Sequence, residues 1–119
     1  MANNFKNHLT ANINNFANVG GFTVKAGQVA TIIGLSLANM NNVSVSADVQ
    51  INQGIGPAGN ITIVKAAPIP VGGALVVVGG DQKVVMEGNH SLQVRANSTV
   101  TPTVGNVDAV MSILESDVT

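Results

Sequence analysis

The sequence predicts an all-β domain: a seven- to eight-stranded antiparallel β-sandwich, Ig-like or jelly-roll-like, with an N-terminal arm. Three observations predict it. Val43, Val45, Ala47, Val49 and Ile51 alternate with Ser44, Ser46, Asp48 and Gln50. That period of two gives a strand one buried and one wet face. Comparable short runs recur about every 8–12 residues between Gly, Asn, Asp and Pro clusters, the pattern of a sandwich or small barrel. No internal repeat of fixed period appears, which excludes a solenoid. The 119 residues fit one domain. With no Cys to staple it, that domain depends on its own core.

The elements follow in chain order. Residues 1–21 read as a polar arm, with Asn3, Asn4, Asn7, Asn12, Asn14, Asn15 and Asn18, and with Lys6 as its only charged side chain. Phe5, Leu9, Ile13 and Phe16 are spaced as a weak helical stripe, which the Asn and Gly content disfavours. A polar terminal segment of this kind orders by docking on a partner or on its own domain. Residues 22–119 form the sandwich. Ile33, Leu35 and Leu37 alternate with Gly34 and Ser36, and Asn39–Asn42 supplies turn chemistry before the Val43–Ile51 strand. Ile61 and Ile63 open a strand that ends at Ala67-Pro68-Ile69-Pro70, where missing ladder donors imply a sheet edge. Ala74–Val78 is continuously apolar between glycine pairs and reads as a strand covered on both faces. Gly80-Asp81 turns the chain into Lys83–Met86, and Glu87-Gly88-Asn89-His90 makes the next turn. Leu92, Val94 and Ala96 alternate with Gln93 and Arg95. Val107–Glu115 suits a strand through Ala109, Met111 and Ile113, or a helix through Val107, Val110, Met111 and Leu114; its neighbours favour a closing strand.

Composition excludes several function classes. Charged residues are 9% of the chain, against about 25% in an ordinary soluble domain. Lys6, Lys25, Lys65, Lys83 and Arg95 are scattered singly, so no phosphate-tracking patch exists and nucleic acid is not an expected partner. Aromatics are 3%, without Trp or Tyr, which disfavours base stacking and most sugar platforms. The N-terminus lacks an apolar signal region, and the apolar stretch Ala66–Val78 is broken by Pro68, Pro70, Gly72 and Gly73, so no membrane span is expected.

No catalytic, metal or cofactor constellation stands out. Gly54-Ile55-Gly56-Pro57-Ala58-Gly59 matches G-x-G-x-x-G, but the following Asn60–Val64 reads as strand and offers no helix N-terminus to a pyrophosphate. His8 and His90 are far apart, and Ser91 beside His90 points to the opposite face of a strand. Asp81, Glu87, Asn89 and His90 gather near two turns without calcium-loop spacing. Asp48, Asp108, Glu115 and Asp117 show no pairing that implies acid–base work on a glycoside. The triplets starting at Asn42, Asn60, Asn89 and Asn97 match the glycosylation acceptor pattern, which so Asn-, Ser- and Thr-rich a chain produces by chance.

The scarcity of charge has a physical reading of its own. Free monomers keep charge for solubility and blunt their sheet edges with Lys or Pro. Val76-Val77-Val78, Val84-Val85 and Ala66–Ile69 carry few such residues, so much of the surface is expected to lie against other chains, homo-oligomeric contact first. The candidate interface comprises Phe5, Leu9, Ile13 and Phe16 of the arm with Ile69 and Val71 of the apolar stretch.

Residues 23–40 (TVKAGQVATIIGLSLANM), 64–97 (VKAAPIPVGGALVVVGGDQKVVMEGNHSLQVRAN) and 107–115 (VDAVMSILE) resemble a family of small β-rich bacteriophage virion proteins. Lys25-Ala26-Gly27, Ile33–Asn39, Pro68-Ile69-Pro70 and Gly79–Lys83 carry the likeness. The resemblance implies a non-enzymatic virion structural protein without cofactor, made in the host cytoplasm. It implies further a capsid decoration or cement protein, a homotrimer held on the major capsid protein. A tail, connector or spike accessory, touching a host glycan, is the alternative. On this reading, deleting residues 2–18 leaves a folded β domain that binds the particle less well.

Overall fold

The structure, a computed structural model, describes residues 3–13, 16–40, 43–54, 59–79, 83–98 and 107–117. Among the described residues nine strands form two antiparallel sheets: β1 (Asn3–Ile13), β2 (Ala17–Asn18), β3 (Gln28–Asn39), β4 (Val45–Asn52), β5 (Asn60–Ile69), β6 (Ala74–Val78), β7 (Val84–Met86), β8 (Ser91–Ser98) and β9 (Val107–Asp117). One sheet runs β1-β9-β3-β6, with β7 beside β6 on the same flank of β3; the other runs β2-β8-β4-β5. The all-β sandwich expected from the alternation is what forms.

The core lies between the sheets and follows the period-two pattern. Ala30, Ile32, Leu35 and Leu37 of β3 and Val107, Ala109, Met111 and Ile113 of β9 face Val45, Ala47 and Val49 of β4 and Leu92, Val94 and Ala96 of β8. Every second residue of β9 is buried through Glu115, so the ambiguous last element is a strand and sits at the centre of its sheet. Asn39, itself buried, closes one end. Its amide donates to the carbonyls of Val43 (2.9 Å), Ile69 (3.0 Å) and Pro70 (3.2 Å), tying β3 to the end of β5 in the opposite sheet.

Two expectations are corrected. Asn3–Ile13, read as part of an arm, is a strand of the sandwich, paired antiparallel with β9 from Asn3↔Ser116 to Ile13↔Val107. Ala74–Val78, read as covered on both faces, has β3 as its one partner among the described strands, and its Ala74 and Val76 are open to solvent. The Gly80-Asp81 turn and most of the Gly54–Gly59 loop lie outside the described residues. Asn60 begins β5 directly after that loop, so no helix follows the glycines.

Candidate interaction surface

The two outward faces differ sharply in chemistry. On the β2-β8-β4-β5 sheet the outward side chains are polar and satisfy one another. Gln50 donates to Gln93 (2.7 Å) and Gln93 to Asn18 (2.9 Å), a chain of amides running across β4, β8 and β2 in register. Asn52 donates to Asn60 on β5 (2.8 Å). Beside them Arg95 pairs with Asp48, its Nε 3.0 Å from Oδ2, while the backbone N–H of Ala66 donates to Oδ1 (2.6 Å). Ala66 sits at φ +53 in a bulge of β5, and the carboxylate satisfies the N–H that the bulge removes from the ladder. The Phe16 ring lies under Arg95, 4.5 Å from the guanidinium carbon, a cation–π contact that closes this face.

The outward face of the β1-β9-β3-β6 sheet is apolar. Register places Phe5, Leu114, Thr31 and Val85 in one row across four strands. A second row holds Leu9, Val110, Ser36 and Val76. Asn7, Ser112 and Gly34 lie between them and make a trough. Phe5, Lys6, Asn7, Ile33, Ser112 and Ile113 line a shallow depression there. Phe5 is 76% exposed, Val76 67%, Leu9 58%, Val85 55% and Val110 47%. Among the described strand residues, Asp108 at one end is the only charged side chain on this face. Single exposed hydrophobics are ordinary, but two aligned rows on a sheet face with one charge at its end mark a contact surface.

The candidate interface residues of the sequence divide four ways. Phe5 and Leu9 stand on this apolar face. Ile13 and Ile69 are buried in the chain's own core, and Phe16 is engaged by Arg95 on the opposite sheet. Val71, 56% exposed, lies in the turn after β5, away from the two rows. Val76, Val85, Val110 and Leu114 complete the surface; their signal in the sequence is the near-absence of charge in the valine runs.

The remaining chemical candidates have structural positions. His8 stacks on Phe22, centroids 4.1 Å apart, where the turn Val19–Gly21 packs on the inner side of β1. Gly20 (φ +68) must be glycine there, because a Cβ would lie 2.4 Å from the Cβ of His8. Burial pulls the His8 imidazole below its usual value, with Glu115 opposing and Lys6 adding to the shift. Lys6 meets Glu115 at 3.1 Å. His90 accepts from the Glu87 backbone N–H at 3.2 Å, a turn contact. Among the described residues no three His, Asp or Glu side chains gather as metal ligands.

No protein-family model matches the chain, and no curated protein matches it in sequence. Its fold is similar to that of a chain in the acidic stable capsid structure of Helicobacter pylori bacteriophage KHP30. The TM-score is 0.52 at 12% identity, over 97% of this chain and 87% of that chain. At that identity the likeness is one of fold.

Proposed function

We propose that the chain is a non-enzymatic structural component of a bacteriophage virion, a decoration or cement protein that stabilises the shell by bridging neighbouring capsid subunits. The observation that carries this reading is the apolar face of the β1-β9-β3-β6 sheet, whose one charge among the described strand residues is Asp108 at its end, displayed by a domain whose other outward face is polar and internally satisfied. The fold likeness to a phage capsid chain supports it, as do the sequence tokens of phage virion proteins. The mechanism is burial. A half-exposed Val or Leu covered on docking contributes about 1 kcal/mol, before the costs of association are subtracted. Many such contacts, made by many copies at fixed spacing on one shell, act together through effective concentration. No substrate has to turn over for this, and the two histidines are occupied by a ring stack and a turn.

Substituting Val76→Lys together with Val110→Lys tests the reading. Both positions are exposed, so the thermal midpoint is expected to move by only a few degrees. Co-sedimentation with particles stripped of the protein is expected to fall at least tenfold, because two ammonium groups lose water on docking. Undiminished binding by the folded double variant contradicts the assignment of this face.

A further inference from the structure

We propose that the free edge of β1 is a self-association site, at which a second copy of this chain pairs its own β1 antiparallel about a twofold axis at Asn7. Among the described strands the sandwich has four outer edges, and three are too short or too interrupted along their middle for strand addition. β2 is two residues long. β5 contains Pro68, Lys65 and the bulge at Ala66. β6 and β7 are short, five and three residues, with glycines after the first. β1 pairs without a break from Asn3 to Thr10, and its register shift is confined to the far end, between Thr10 and Ile13. It is eleven residues long, contains no Pro, and pairs with β9 on one side, with no described strand on the other. Its one charge, Lys6, is on the inner side and held by Glu115. An edge of that length leaves alternate backbone N–H and C=O groups facing outward as a template for another strand.

The occupant is a second copy because the edge complements itself. Antiparallel pairing centred on Asn7 sets Phe5 opposite the partner's Leu9, and Leu9 opposite the partner's Phe5. Aromatic–aliphatic pairs of this kind stabilise a ladder, and no like charges meet across it. The row Phe5–Leu114–Thr31–Val85 then runs on into the partner's second row. The apolar face becomes continuous over both molecules. Such a contact is isologous and closes as a dimer, in place of the trimer that the resemblance implies. It stands whether or not the chain belongs to a virion.

Sedimentation equilibrium of the full chain is expected to give twice the 12.1 kDa of one copy. A monomer or a trimer mass overturns the proposal. The absence of cysteine makes the location testable as well. In Asn7→Cys the two thiols face each other across the axis, within the separation a disulfide spans. Mild oxidation is expected to cross-link this variant at least tenfold faster than Val85→Cys, on the opposite edge of the same sheet. Equal rates place the contact elsewhere and overturn it.

Discussion

Deleting residues 2–18 is expected to abolish cooperative unfolding, not to leave a folded sandwich. The deletion removes all of β1 and with it the antiparallel ladder to β9, the strand at the heart of its sheet. Ile13, 3% exposed, leaves the core beside Val107. Loss of a buried Ile side chain alone costs about 2–5 kcal/mol. Glu115, buried at the end of β9, loses Lys6. His8 and Thr10 no longer cover the turn at Val19–Gly21; the Gly20 N–H donates to the Thr10 hydroxyl in the intact chain. Together these losses rival the roughly 5–15 kcal/mol that holds an ordinary domain folded. Circular dichroism through a thermal ramp reads the result: a shallow, non-cooperative trace is expected. A sharp transition within a few degrees of the full chain contradicts the placement of β1 in the sandwich.

Asp48→Ala is expected to cost about 2–3 kcal/mol. Removing one member of a buried ion pair costs about 3–5 kcal/mol, and the Arg95 side chain, 35% exposed, recovers part of that from water. The Ala66 N–H also loses its acceptor. Asp48→Asn keeps an acceptor for Ala66 and is expected to lose less. Urea titration at neutral pH separates the three chains; an Ala variant as stable as the parent contradicts the network. The same carboxylate sets a pH response. Burial pushes the Asp48 acid upward, but the Ala66 hydrogen bond and the Arg95 pair outweigh burial and hold it below the usual 3.8. A depressed folded value means that the unfolded chain takes up the proton first. The stabilisation is therefore present above pH 3.8 and is lost as pH falls through the folded value. His8 acts in the same direction from below its usual 6.5, since its folded form also resists protonation.

The sandwich was legible in the sequence wherever one face of a strand is buried and the other wet. The alternation at Val43–Ile51 became β4 because burial on one side only is what a period of two records. β1 was not legible, for two reasons. Phe5, Leu9 and Ile13 are four residues apart, a spacing that fits one face of a helix and one face of a strand alike. The register shift between Thr10 and Ile13 then turns Ile13 inward while Phe5 and Leu9 point out. Nothing local in the sequence marks that shift. β6 misled for a related reason: a continuous apolar run records burial on both faces only if something covers the second face. Here that face is open, and the exposed Val76 belongs to the surface assigned to docking. The Asp48–Arg95 pair spans 47 residues and becomes visible only once β4 and β8 are set in register.

Hydroxyl-radical footprinting of assembled particles against the free chain tests most directly whether the apolar sheet face is what holds this protein in place. Protection of Phe5, Leu9 and Val110 on assembly, with Phe16 labelled equally in both states, is the predicted pattern. Unchanged labelling of those three side chains, or protection confined to the side where Arg95 covers Phe16, contradicts it.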